Sequence, residues 1–163
     1  MNRIPKMTYL KYLSTFLIGI LLGITLIQVT SASSIYSSGI GFLAGNRGYR
    51  ARAQIVLSII PSTNEHIAWG LGDINPTDNM NVSAGMMGAK GTLYRYQSNN
   101  THILIGSSSL LFNKSATNTH SVGVDTVAVK NWSYNAVGYL EAWNSTTGRY
   151  VTQTSNRTPN LTH

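Results

Sequence analysis

Any acid–base chemistry in this chain would have to be built from Glu65, Asp73, Asp78, Asp125 and Glu141, with His66, His102, His120 and His163. That is a sparse supply for 163 residues. A glycosidase needs two carboxylates facing each other across a sugar, and Glu141 with Asp125 or Glu65 is the pairing on offer. Any chain with five acids permits such a pairing, and solvated or salt-bridged acids explain the same residues with fewer assumptions. A serine hydrolase would draw on His120 and Asp125, yet no Gly-x-Ser-x-Gly elbow surrounds any serine. The run Asp73-Ile74-Asn75-Pro76-Thr77-Asp78-Asn79 gathers oxygen donors as a calcium loop would. It lacks the glycine and the closing glutamate of an EF-hand, and Asp and Asn beside proline are ordinary turn formers. The histidines have no paired spacing suited to zinc. Cysteine is absent, which removes thiol nucleophiles, thiolate metal sites and disulfides. No metal or cofactor is implied.

Aromatic residues are better supplied. Trp132, Tyr134, Tyr139, Trp143 and Tyr150 crowd the C-terminal third, and exposed rings are a common means of gripping carbohydrate and protein surfaces. Trp132, Tyr134 and Trp143 are the candidate binding residues. Tyr139 and Trp143 also read as core positions, more so than Trp132 beside a turn. Arg50, Arg52 and Arg95 near Tyr49, Tyr94 and Tyr96 have the ingredients of a single-strand nucleic-acid groove. They alternate along strands where one face is simply solvated, so no nucleic-acid partner is expected.

The elements that would position these groups follow an export signal. Arg3, Lys6 and Lys11 precede the apolar run Phe16–Ile27, and Val29-Thr30-Ser31-Ala32 supplies small residues for cleavage. The run of twelve residues suits a signal helix and falls short of the roughly 18 of a membrane span. Residues 1–32 are read as a cleavable signal peptide of a secreted protein, with an uncleaved membrane anchor as the alternative. The formal net charge of +7 includes three basic residues that leave with the signal, so it is no nucleic-acid footprint. The mild basicity that remains could draw the protein to an anionic envelope. Asn-x-Ser/Thr triplets begin at Asn81, Asn99, Asn113, Asn131, Asn144, Asn156 and Asn160, and in a chain this rich in Asn, Ser and Thr they carry little information.

Beyond the signal, residues 33–46 read as a flexible leader, 47–154 as one domain and 155–163 as a loose tail. Tyr49–Ile59 alternates strictly, with Tyr49, Ala51, Ala53, Ile55, Leu57 and Ile59 on one face. Ile67, Trp69 and Leu71 repeat the pattern, and residues 72–81 read as a loop. Further strands are expected over 88–97, 101–112, 122–129, 134–143 and 150–154. In 134–143, Val137, Tyr139 and Trp143 share one face, and Ala136, Leu140 and Ala142 the other. The fold class is all-β: a single antiparallel β-sandwich or barrel of about seven strands, with Ile55, Leu57, Trp69 and Leu140 in its core. Gly85, Gly88 and Gly91 recur every third residue. They imply a bulge or tight corner, or else small side chains beneath a bulky neighbour such as Trp69.

Two segments carry a resemblance. Asn81-Val82-Ser83-Ala84-Gly85-Met86-Met87-Gly88-Ala89-Lys90-Gly91-Thr92-Leu93-Tyr94 and Tyr134-Asn135-Ala136-Val137-Gly138-Tyr139-Leu140-Glu141-Ala142-Trp143-Asn144 resemble signatures of small secreted β proteins of Gram-positive bacteria with no assigned activity. The resemblance implies compartment and fold and supplies no site. The sequence as a whole points to a secreted non-enzymatic binding or effector protein acting at the cell envelope or on neighbouring cells, antimicrobial or toxin-like in one version. Its partner would be an envelope glycan, a membrane or a protein surface. The alternative is a small secreted hydrolase of wall glycan or peptide.

Overall fold

A computed structural model describes residues 32–163, so the expected signal segment lies outside the described residues but for Ala32. The described residues form eleven strands and no helix. The first sheet is organised around β3 (Arg47–Ile60). One edge of β3 pairs with β1 (Ser33–Tyr36) and β2 (Ile40–Ala44) in turn, and the other with β4 (Glu65–Pro76), beyond which lies β8 (His120–Val127). The second sheet runs β10 (Arg149–Thr154), β9 (Ser133–Asn144), β5 (Met87–Gln97), β6 (Thr101–Ser107). In that sheet β7 (Leu111–Phe112) also pairs with β5, and β11 (Leu161–Thr162) with β9. Every pairing is antiparallel, and the sheets face each other as an open sandwich, not a closed barrel.

β3 and β9 behave as their alternation dictates. Tyr49, Ala51, Ala53, Ile55 and Leu57 point inward from β3, and Tyr134, Ala136, Leu140 and Ala142 from β9. The termini differ from expectation. Residues 33–46 form β1 and β2, because the free edge of β3 offers hydrogen bonds that outweigh a weak local pattern. The tail is tied down as well. Ser155 and Thr158 are buried and exchange hydrogen bonds with the β9 backbone at Gly138 and Ala136, and β11 pairs with Ser133 and Tyr134.

β4 corrects a second expectation. It runs on to Pro76 through the supposed loop, and its inward face is Ala68, Gly70, Gly72 and Ile74. Trp69, expected in the core, points outward with 38% of its surface exposed. The reason is the spacing of the sheets. A Cβ on Gly72 would collide with the Lys90 carbonyl and come within 3.1 Å of the Gly138 Cα, and one on Gly91 would collide with the Gly70 carbonyl. Stacked sheets ordinarily lie about 10 Å apart, but here the backbones touch. At the waist β4 therefore carries glycine inward, and the large side chains of that stretch, Trp69 and Leu71, face outward. This waist separates two hydrophobic cores. One holds Tyr49, Ile74, Met87 and Leu140, the other Ile55, Leu57, Leu93 and Tyr134.

The three regularly spaced glycines have three separate causes. Gly85 adopts φ +77° in a turn, Gly88 lies beneath the Phe112 ring, and Gly91 belongs to the waist. The β5–β6 register does shift, but between Leu93 and Tyr94.

Candidate binding face

The outer face of the second sheet presents a row of side chains set by register. From β9 it takes Asn135, Val137, Tyr139, Glu141 and Trp143, the face opposite Ala136 and Leu140. β10 places Tyr150 beside Trp143, Thr152 beside Glu141 and Thr154 beside Tyr139. β5 places Lys90 beside Tyr139 and Thr92 beside Val137. Ser107 follows from β6, its hydroxyl 3.0 Å from that of Thr92. At about 3.3 Å per residue, the row from Trp143 to Asn135 is about 25 Å long.

The two ends are aromatic. At one, Tyr150 bridges Phe112 and Trp143, with ring centres 4.9 and 5.1 Å away. Its hydroxyl donates to the Gly85 carbonyl at 2.7 Å, which fixes the ring. At the other end, the Arg157 guanidinium lies 4.2 Å over Tyr94 and donates to Asn135 Oδ1 at 2.6 Å. The buried Asn135 amide donates to His102 Nδ1 and Asn160 Oδ1. Burial, and then the Arg157 charge, hold the His102 pKa below its ordinary value, which suits an acceptor nitrogen. Between the ends lie Val137, the Tyr139 ring, hydroxyls, one carboxylate and one ammonium. Tyr139 donates to Glu141 Oε1 at 3.1 Å. Burial, and then Glu141, push its phenol pKa up, so the proton stays in place. Lys90 forms no ion pair among the described residues.

Of the three aromatic residues expected to bind, Trp143 alone reaches this face. Tyr134 is fully buried, and its hydroxyl accepts a hydrogen bond from the Val129 amide at 2.8 Å. It shares the inward parity of Ala136 and Leu140. Trp132 packs on the second core beneath the Arg95 guanidinium, 3.8 Å from its ring centre. Tyr139, which also read as a core position, is 37% exposed.

A cleft of about 560 Å³ adjoins the aromatic end, with Trp143 in one wall and Tyr49, Met80 and Met86 in others. Its charges are committed to each other. Arg47 donates to Asp78 at 3.0 Å and to the Met80 carbonyl at 2.9 Å, clamping the loop before β5 onto β3. The bond from Arg47 lowers the Asp78 pKa.

The remaining acids are dispersed. Asp73 is buried on the outer side of the first sheet, where Arg52 donates to it twice (2.6 and 3.1 Å) and Ser121 once (2.8 Å). The two aspartates of the calcium-like run are thus held by different arginines. Asp125 sits across from the outward-facing Trp69, on the opposite outer face of the sandwich from Glu141. His120 Nε2 lies 2.8 Å from the Leu111 carbonyl. No family model matches the chain, and no curated protein matches it at a significant level.

Proposed function

We propose that this is an exported, non-catalytic protein that binds neutral polysaccharide of the cell envelope along the outer face of β10, β9, β5 and β6. One observation carries the reading. That face holds the Trp143 and Tyr150 rings at one end, the Tyr139 ring in the middle and hydroxyls between and beyond them, with one lysine and one glutamate of opposite charge along it. Rings stack on the apolar faces of sugars, and hydroxyls match the hydroxyls of a glycan. A membrane surface would call for a basic or apolar patch, and the middle of this row is neither. The hydrolase alternative gains no support, because Glu141 and Asp125 lie on opposite outer faces and both Asp73 and Asp78 are occupied by arginines.

The test is co-sedimentation with insoluble chitin, cellulose and purified bacterial sacculi. The wild type should sediment with at least one of them. Trp143→Ala combined with Tyr139→Ala should lose retention, since anchor residues are worth about 2 kcal/mol or more each. Trp69→Ala, a loss of an exposed ring on the other sheet, should not. Retention that depends on Trp69 and ignores Trp143 and Tyr139 would move the site to the first sheet.

A further inference from the structure

We propose that His66 and His163 form a two-imidazole site for a divalent transition-metal ion, Cu²⁺ or Ni²⁺. The two residues lie far apart in sequence, and the fold brings their ring centres within 4.3 Å at an interplanar angle of 75°. Metal–nitrogen bonds of about 2.0–2.1 Å put two imidazoles at a right angle around one ion with centres about 4.5 Å apart, and about 5 Å apart at a tetrahedral angle. The observed spacing matches the right angle, the arrangement of tetragonal Cu²⁺ and Ni²⁺.

Three further observations support the site. His163 Nδ1 is buried and has no hydrogen-bond partner, whereas buried polar atoms are ordinarily satisfied. The main chains at both residues are fixed. The His66 carbonyl accepts from the Ala128 amide at 2.7 Å, the His163 amide donates to Trp132 at 3.0 Å, and the His163 carbonyl accepts from Asn131 at 2.9 Å. The rings also border a cavity of about 280 Å³ whose other polar residues are Ser33, Ser58 and Thr162, leaving room for water on the open coordination positions. No aspartate or glutamate side chain lines it, and the imidazoles themselves are poor ligands for hard oxygen-seeking ions such as Ca²⁺ and Mg²⁺.

Isothermal titration of the untagged protein with CuCl₂ and NiCl₂ tests the site. One ion should bind per chain. Loss of an outer-shell partner typically weakens a metal site 10–100-fold, so loss of a ligand in His66→Ala or His163→Ala should weaken it by at least about tenfold. His102→Ala and His120→Ala should leave it unchanged. Circular dichroism checks each fold, and His66→Gln stands in if an alanine variant misfolds. Copper-loaded wild type should show a two-nitrogen electron paramagnetic resonance pattern that each single variant reduces to one. Unchanged affinity in either single variant, or equal loss in the controls, overturns the proposal.

Discussion

Gly91→Ala probes the waist of the sandwich. The added methyl would collide with the Gly70 carbonyl and lie 2.7 Å from the Val122 carbonyl oxygen and 2.9 Å from the Leu71 Cα. All three are backbone atoms of the facing sheet, so no rotamer change relieves the clash, and the sheets must part or shear. Overpacking of this kind costs about 1–3 kcal/mol, occasionally more, and an immovable neighbour places this case at the upper end. The restricted unfolded chain offsets about 0.4–1 kcal/mol. A net loss of about 2–3 kcal/mol should lower Tm by about 10 °C for a domain of this size. Two companions separate packing from backbone effects. Gly85→Ala has open space but φ +77°, and a residue forced into that region costs about 1–3 kcal/mol. Gly41→Ala has open space and no positive φ, so it should be neutral or slightly stabilising. Differential scanning calorimetry of the three should rank Gly91→Ala lowest. Gly91→Ala melting alongside Gly41→Ala would refute the backbone-to-backbone packing of the sheets.

Arg52→Leu should cost about 2–3 kcal/mol in denaturant unfolding, because it leaves the buried Asp73 unpaired; the cost falls below that of a fully enclosed pair because Arg52 is 28% exposed. Adding Asp73→Asn should recover part of it. His102 gives a pH signature. Its folded pKa lies below the ordinary 6.5, under burial and Arg157, so the folded state takes up a proton less readily than the unfolded state. Stability from this group is therefore complete above about pH 6.5 and declines as the pH falls below it. His102→Gln should flatten that decline in melting curves between about pH 6.5 and 5. An unchanged slope would show that the imidazole is free of the Asn135–Arg157 network.

The sequence made the fold class readable wherever alternation was strict. β3 carried its larger apolar residues at one parity and mostly polar ones at the other, and its faces came out as written. β9 divided into the two expected faces, but Tyr139 and Trp143, which also read as core positions, lie on the outer one and Ala136, Leu140 and Ala142 on the inner. β4 misled for a physical reason. Pattern reading equates bulk with burial, and a glycine-lined waist inverts that, sending Trp69 to solvent. β1, β2 and β11 were illegible because their strand character comes from an available partner edge. For the candidate face, the parity of Trp143 and Tyr139 was visible in the sequence, whereas Tyr150, Phe112, Lys90 and Thr92 join it only through cross-strand register. The same parity marks Tyr134 as inward, and local composition near Trp132 gave no hint of Arg95 above its ring. The His66–His163 pair had no sequence signal, because it depends on β11 closing against the end of β3 and β4.

The central claim is that a glycan lies along the outer face of the second sheet. Its most direct test is a two-dimensional ¹H–¹⁵N NMR titration of the labelled protein with chitohexaose, and with soluble oligosaccharides from any polysaccharide that retains the protein. The account predicts shift changes concentrated at Lys90, Thr92, Tyr139, Glu141, Trp143 and Tyr150, with Gln54, Trp69 and Asp125 unmoved. Changes confined to the first sheet, or to the cleft around Arg47 and Asp78, would contradict it.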